Sequence, residues 1–179
     1  DSVEHFAAVR EAVGPETEIC IDVHTRLDPP DTIRLGRKLE QYDPFFIEDP
    51  LRCENPQTYR LVRNHVSCPL AIREHYATKW EFRQIIEEER TDYARIDLCI
   101  VGGLTEARKV ANWCETHYIK IVPHNPLGPV SAAACAHLDI ATDNFAVQEG
   151  GLVGRPVMED LFPVQSPYEA GCLLIPEGP

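Results

Sequence analysis

The chain has 179 residues, of which 44% are hydrophobic and 26% are charged, a balance typical of one soluble globular domain. Its 17 basic and 29 acidic side chains give a formal net charge of −12, which argues against a nucleic-acid binder, because such proteins carry a basic patch. The same charge disfavours adsorption to anionic membranes. No apolar run approaches the roughly 18 residues that a membrane span needs.

Residues 1–5 have neither the basic start nor the apolar run of a secretion signal. The seven cysteines are an odd number, lack CxxC spacing and mostly occur in apolar segments. We therefore expect reduced thiols in the core of a cytoplasmic protein. The sequence opens inside a helical pattern, so we expect it to be a piece of a longer protein.

In chain order, short apolar runs bounded by Pro, Gly, Asp or Asn alternate with longer amphipathic stretches. The short runs predict strands at residues 18–23, 45–47, 70–72, 93–96, 119–122 and 145–147. The stretches between them predict helices at residues 31–41, 78–89 and 105–117, the last with Thr105 as its N-cap. This alternation predicts an α/β fold built from βαβ units around a parallel sheet.

An ionisable side chain stands at the end of each predicted strand, at intervals of 23 to 27 residues. In order they are Asp22, Glu48, Glu74, Asp97, His124 and Glu149. One βα unit of a TIM-type barrel has about this length, and the barrel brings all its strand ends to one mouth. An open sheet would spread them along an edge, where only neighbours could cooperate. Their regular spacing favours the barrel and a shared site.

Three of these side chains, Asp22, Glu48 and Glu74, are carboxylates on consecutive strands. Carboxylates brought this close repel one another, and a hard divalent cation removes that repulsion. Mg²⁺ prefers oxygen ligands and keeps positions open for water or substrate, so it suits this set. Zn²⁺ is disfavoured because the cysteines lie elsewhere and the set is not rich in histidine.

Two histidines are candidates for acid and base chemistry. On an extended strand residues two apart point the same way, so His24 is predicted to lie beside Asp22, as a metal ligand or as a proton donor next to the metal. His124 lies one strand beyond Asp97, close enough to donate a hydrogen bond to it. Such a bond would fix the imidazole tautomer and strengthen the other ring nitrogen as a base.

The site residues stand in a series of longer motifs, in the order Asp22-x-His24, Phe46-Ile47-Glu48-Asp49-Pro50, Arg73-Glu74, Asp97-x4-Gly102-Gly103 and His124-Asn125-Pro126. This series resembles the enolase superfamily, and within it the mandelate racemase subgroup and the galactonate-dehydratase-like acid-sugar dehydratases. The similarity runs over the whole chain.

The resemblance implies a partial (β/α)₇β barrel over residues 1–149, holding strands three to eight, with the N-terminal capping domain absent. Residues 150–179 would pack back on that domain. It implies one Mg²⁺ held by Asp22, Glu48 and Glu74, and an Asp97–His124 dyad as the base. His24 would be the acid that assists the departing hydroxyl, and Glu149 would hydrogen-bond the substrate beside the metal.

The chain also departs from the family pattern. The first barrel strands are missing, and with them the basic residue that ends the second strand. Arg73 replaces the usual glycine before the third metal ligand, and His75 follows that ligand.

The predicted function is Mg²⁺-dependent dehydration of a galactonate-like sugar acid to a 2-keto-3-deoxy acid. Two alternatives stay open: a racemase or epimerase of the same superfamily, and a catalytically incomplete fragment. The expected partner is a small sugar acid, with neither nucleic acid nor membrane. We also expect a homo-oligomer, because an incomplete barrel exposes strand edges.

Overall fold

The computed structural model describes residues 1–150 and 158–175. In these ranges it contains seven α-helices and seven short strands. The helices are α1 (Ser2–Val13), α2 (Pro29–Leu39), α3 (Tyr59–Arg63), α4 (Lys79–Glu87), α5 (Leu98–Val101), α6 (Leu104–Glu115) and α7 (Pro129–Ile140). The strands are β1 (Ile21–Asp22), β2 (Ile47–Glu48), β3 (Leu70–Ile72), β4 (Tyr93–Ala94), β5 (Lys120–Ile121), β6 (Tyr168–Glu169) and β7 (Cys172–Leu173). No helix in the described ranges has the length and apolarity needed to cross a bilayer.

Helix starts follow local chemistry. Thr78 caps α4 in a capping box with Glu81, so that two free backbone N–H groups at the helix start find acceptors. Pro129 occupies the first position of α7, where its missing N–H costs nothing and its fixed φ suits the helix. These residues therefore fix where α4 and α7 begin.

The first five strands form one parallel sheet in the order β1-β2-β3-β4-β5, so neighbours in the chain are neighbours in space. A sixth position follows at Phe145, which forms a parallel bridge with Ile121. Helices connect consecutive strands of this sheet, and its five strands run in one direction. The described chain is therefore part of a TIM-type (β/α) barrel.

Alternation along each strand separates two cores. The larger core lies between the sheet and the helices and includes Ile47 and Ile121. The smaller core lies on the other face of the sheet and contains Phe46, Ala71 and Val122. Residues two apart on a strand share a face, so Glu48 lies on the same face as Phe46, the inner face of the barrel.

The parallel sheet was predicted correctly, but several bounds were wrong. The predicted strands are longer than the observed ladders, and the sixth is a single bridge at Phe145. Thr105 does not cap α6; the N-cap is Gly103, which has a φ of 84° that glycine tolerates without steric cost. Helix α7, like the short helices α3 and α5, was missed.

The cysteines also differ from expectation. Only Cys68, Cys114 and Cys135 are buried, while the other four are exposed, and all seven are free thiols. Beyond residue 150 the described part contains the β6–β7 hairpin. The packing of residues 150–179 on a capping domain stays a prediction, and its residues 151–157 and 176–179 lie outside the described ranges.

Candidate active site

The inner face of the sheet carries the predicted site residues to the carboxyl ends of the strands. Asp22 and Glu48 are register partners on β1 and β2. Asp97 and His124 form a parallel bridge beyond the ends of β4 and β5. The shared direction of the strands therefore brings these side chains to the same end of the barrel, where active sites of this architecture lie.

His24 lies between two of the three predicted metal ligands. Its Nδ1 atom is 3.4 Å from Asp22 Oδ2 and 3.3 Å from Glu74 Oε1. The carboxylates of Asp22 and Glu74 therefore face the same imidazole nitrogen, although they belong to strands that are not neighbours. Their separation cannot exceed the sum of those two distances, so it is compatible with a shared cation.

The backbone that places His24 is not the extended strand on which the prediction relied. His24 has a φ of 52° and Thr25 a φ of 58°, so the chain turns through the left-handed region directly after Asp22 and Val23. The Asp22 carboxylate accepts the His24 backbone N–H at 2.7 Å, which ties this turn to the strand end. The side chains of Asp22 and His24 therefore lie close together as predicted, but a left-handed turn and not an extended strand brings them there.

Glu48 makes an ion pair that the sequence did not indicate. Arg95, which follows β4, donates from Nε to Glu48 Oε1 at 2.5 Å, and both side chains are buried. Burial raises the pKa of Glu48 to about 8; Arg95 opposes this shift, whereas the carboxylates of Asp22 and Glu74 add to it. Although burial lowers the pKa of Arg95, Glu48 and Glu149 outweigh it and hold that pKa above its usual value.

Asp49 is a second residue that sequence reasoning did not single out. Its buried carboxylate accepts the backbone N–H of Arg73 at 2.8 Å and that of Glu74 at 3.2 Å. Its backbone carbonyl accepts the N–H of Thr25 at 2.6 Å. Asp49 thus joins the ends of three strands, and the Glu48-Asp49-Pro50 motif was the signal that could have identified it.

The surroundings of Arg73 explain how an arginine can replace the glycine that is usual before the third predicted metal ligand. The Arg73 φ of 88° lies in the region that favours glycine, which accounts for the glycine usual at this position. The guanidinium lies between two aromatic rings, 4.6 Å from the centroid of Tyr59 and 4.8 Å from that of Tyr76. Each such contact stabilises by about 0.5–2 kcal/mol, which offsets the strain of the backbone.

The predicted dyad is in contact. His124 Nδ1 lies 2.8 Å from Asp97 Oδ2, while Asp97 Oδ1 accepts the N–H groups of Cys99 and Ile100 at the start of α5. Both oxygens of the buried Asp97 are therefore committed, and the carboxylate is held in place. His124 Nε2 is left facing Glu74 Oε2 at 3.4 Å.

Glu149 lies beside the dyad. Its Oε2 atom accepts hydrogen bonds from Arg95 at 2.6 Å and from the Asn125 backbone at 2.9 Å, and it is 4.0 Å from His124 Nε2. The side chain is about one-third exposed, so it combines fixed partners with access to a small molecule. All the predicted site residues therefore lie in one linked cluster.

The donor set suits a hard cation in its chemistry. Asp22, Glu48 and Glu74 offer carboxylate oxygens, and Glu74 Oε1 is buried without a hydrogen-bond partner. Among residues 1–150 and 158–175, however, no three His, Cys, Asp or Glu side chains converge closely enough to hold a metal ion as they stand. Glu48 Oε1 is engaged by Arg95, whereas Glu74 Oε1 faces the imidazole nitrogens of His24 and His75 at 3.3 Å without a hydrogen bond.

The model of the family described as enolase C-terminal domain-like matches residues 1–179. The chain belongs to this family. It is 37% identical over 176 residues to a D-mannonate dehydratase of Caulobacter sp. strain K31, covering 97% of this chain and 43% of that protein. It is 40% identical over 160 residues to a D-galactonate dehydratase family member of Streptomyces bingchenggensis, covering 88% and 38%.

The fold of the chain also matches a solved enolase structure. An enolase from Pantoea ananatis with bound D-gluconate and Mg superposes with a TM-score of 0.83 at 30% identity, covering 90% of this chain and 39% of that one. The chain thus spans about two-fifths of the length of these proteins. The resemblance to the C-terminal portion of the enolase superfamily is confirmed.

Proposed function

We propose that this chain carries the acid, base and metal-binding residues of a Mg²⁺-dependent sugar-acid dehydratase. The substrate would be a C6 aldonate of the galactonate or mannonate type, and the product a 2-keto-3-deoxy acid. Support comes from the two relatives named D-mannonate and D-galactonate dehydratases and from the enolase with bound D-gluconate and Mg.

The observation that carries the proposal is that an imidazole faces each carboxylate oxygen of Glu74. His24 Nδ1 lies 3.3 Å from one carboxylate oxygen of Glu74, and His124 Nε2 lies 3.4 Å from the other. A substrate carboxylate bound beside Glu74 would therefore lie between the imidazoles of His24 and His124. Asp22, Glu48 and Glu74 would hold Mg²⁺, which when bound supplies the positive charge that offsets a second negative charge on the substrate.

His124 is the group suited to take the α-proton. The Asp97 carboxylate accepts a hydrogen bond from Nδ1–H of His124, which fixes the tautomer and leaves the Nε2 lone pair directed into the site. A proton next to a carboxylate is very weakly acidic, so a base held in place contributes mainly in the transition state. The small exposed fraction of His124, 14%, keeps bulk water from competing for that lone pair.

His24 is the group suited to protonate the leaving hydroxyl. Its side chain is 52% exposed, so a hydroxyl on the carbon next to the reacting centre can reach it. Hydroxide is a poor leaving group without a proton donor, and a positioned acid supplies that proton. Loss of water gives an enol, which becomes the 2-keto-3-deoxy acid.

The test is turnover of the intact protein with D-galactonate, D-mannonate and D-gluconate, in Mg²⁺ and after chelation with EDTA. A keto acid that reacts with semicarbazide is the expected product, and it should require Mg²⁺. Glu48→Gln should nearly abolish Mg²⁺ binding in calorimetry and turnover. The matched control is Glu54→Gln, which changes an exposed carboxylate on the segment after β2 and should leave both intact.

The outcomes separate the alternatives. Exchange of the α-proton with deuterated water, without keto acid but with inversion at that carbon, would assign the racemase or epimerase reaction. Neither exchange nor product, in a protein that is folded by circular dichroism, would assign the catalytically incomplete fragment. Unchanged Mg²⁺ affinity in the Glu48→Gln protein would contradict the metal ligands proposed here.

A further inference from the structure

Arg95 lies at the centre of the site, and the acid, base and metal roles proposed above do not use it. It is 3% exposed and follows β4 on the inner face of the sheet. Its Nε atom donates to Glu48 Oε1 at 2.5 Å, and its second terminal nitrogen donates to Glu149 Oε2 at 2.6 Å. Its Nη1 atom donates to the backbone carbonyl of Val122 at 3.0 Å.

The surrounding charge is strongly negative. Five carboxylates line this end of the barrel: Asp22, Glu48, Glu74, Asp97 and Glu149. Within residues 1–150 and 158–175, Arg95 is the only lysine or arginine that comes within 4 Å of any of them. The other basic neighbours there are the imidazoles of His24, His75 and His124.

We propose that Arg95 is a positioning residue that fixes the carboxylates of Glu48 and Glu149 relative to each other. One guanidinium plane joins Glu48, a predicted metal ligand on β2, to Glu149, the predicted substrate-binding carboxylate, and the carbonyl of Val122 anchors that plane directly after β5. This inference rests on the proposed function for the meaning of the two carboxylates, but not for the contacts themselves.

The contacts require the shape of arginine and not only its charge. A guanidinium presents five N–H donors in a rigid fork, so it can hold two carboxylates and a carbonyl at fixed angles. A lysine ammonium is a compact charge on a flexible stem and would follow one carboxylate at a time. With Oε1 of Glu48 held by Arg95, the other oxygen of Glu48 is kept in one orientation toward a cation.

The first experiment compares Arg95→Met and Arg95→Lys in the intact protein by calorimetric titration with Mg²⁺, without substrate. Loss of a group that orients a metal ligand typically costs 10–100-fold in metal affinity or activity. We expect a loss in that range for Arg95→Met, and only slight recovery for Arg95→Lys. Wild-type affinity in either variant would overturn the proposal, since then the fork is not needed.

Arg90 provides the matched control. It is 4% exposed, pairs with Glu88 and donates to the Pro56 carbonyl at 2.9 Å, but it precedes β4 whereas Arg95 follows it. Arg90→Met therefore removes an equally buried charge at the opposite end of the strand. It should lower the melting temperature as Arg95→Met does while leaving Mg²⁺ affinity unchanged. An equal loss of affinity in the control would reduce Arg95 to a residue of general stability.

A metal-free crystal structure of the Arg95→Lys protein separates this inference from the proposed function. The carboxylates of Glu48 and Glu149 should rotate out of their wild-type positions, whatever reaction the protein catalyses. Unmoved carboxylates would refute the positioning role. If they move, but the wild-type protein neither binds Mg²⁺ nor dehydrates any sugar acid, the positioning role stands and the proposed function fails.

Discussion

Asp97 and His124 lie side by side at the ends of neighbouring strands, with His124 Nδ1 2.8 Å from Asp97 Oδ2. The other oxygen of Asp97 accepts two backbone N–H groups at the start of α5, so the carboxylate has no freedom to turn away. One side chain thus starts a helix and holds the imidazole. This double use makes the dyad a rigid part of the fold.

The first prediction concerns proton abstraction by this dyad. His124→Asn should stop exchange of the substrate α-proton with deuterated water, because the amide cannot accept the proton. Asp97→Asn should keep the helix start but lose the control of the tautomer, and exchange should slow by about 10²–10⁴, the usual contribution of acid–base catalysis. The measurement is proton NMR of the substrate in D₂O. Persistent exchange in the His124→Asn protein would move the base to another residue.

A second prediction tests packing between α2 and the segment that follows α3. A Cβ atom at Gly36 would lie 2.5 Å from Cγ1 and 2.8 Å from Cγ2 of Val66, whose branched side chain has little freedom to move. Overpacking costs about 1–3 kcal/mol, more than the roughly 1 kcal/mol that alanine gains over glycine in a helix. Gly36→Ala should therefore lower the free energy of unfolding, measured with urea.

The control for that substitution is Val66→Ala in both backgrounds. Shortening Val66 removes the atoms that would collide, so it should cost less in the Gly36→Ala protein than in the wild type. Strictly additive free energies would show that the helix accommodates the new methyl group elsewhere.

The third prediction links stability to pH through Asp139 on α7. This carboxyl group is 7% exposed and its Oδ1 atom has no hydrogen-bond partner, and burial raises its pKa to about 7. In the unfolded chain the pKa of an aspartate is about 3.9. Between these values the folded protein keeps a proton that the unfolded chain has released. Stability therefore falls as the pH rises through this window, by up to about 1.4 kcal/mol per pH unit.

Asp139→Asn removes this dependence because the amide does not ionise. The free energy of unfolding of the variant, relative to the wild type, should be higher at pH 8 than at pH 4.5. Urea unfolding at both values measures it. Asp143→Asn, a change of an exposed carboxylate three residues after α7, should leave the slope as in the wild type. Parallel pH profiles for the wild type and Asp139→Asn would contradict the assignment.

The positions of the site residues along the chain were predictable because parallel strands end at one edge. Glu48 and Asp97 each follow an apolar run, and that pattern alone placed them at the same end of the barrel. Arg95 was missed because it falls inside the predicted strand at residues 93–96, where a charged residue looks like an interruption of an apolar run. Only the folded sheet reveals that the Arg95 side chain reaches Glu48 and Glu149 across the inner face.

Backbone conformation set a second limit on prediction. Positive φ angles at His24, Thr25 and Arg73 turn the chain just beyond the strands. Threonine and arginine seldom adopt positive φ, and histidine does so in only a small fraction of cases, so the local sequence does not signal these turns. Contacts made far along the chain fix these turns. The Asp49 carboxylate holds Arg73 and the Asp49 carbonyl holds Thr25, and such contacts cannot be read from periodicity.

The last prediction separates dehydration from simple proton exchange. His24 Nδ1 lies within 3.4 Å of both Asp22 and Glu74, and its side chain is half exposed, so its ring can meet a substrate hydroxyl. If it is the acid, His24→Asn should leave α-proton exchange by His124 intact while keto-acid formation falls by about 10²–10⁴. NMR exchange and the semicarbazide assay, run on the same samples, measure the two steps separately.

His75 is the competing donor in that experiment. Its Nε2 atom is 3.3 Å from Glu74 Oε1, and its ring stands edge-on to that of His24 with centroids 5.9 Å apart. His75→Asn therefore removes an imidazole from the same carboxylate without touching Asp22. If only His24→Asn separates exchange from dehydration, the acid is His24. If only His75→Asn does so, the role belongs to His75. If both variants keep both activities, neither His24 nor His75 donates the proton, and the position of these rings beside Glu74 no longer supports dehydration.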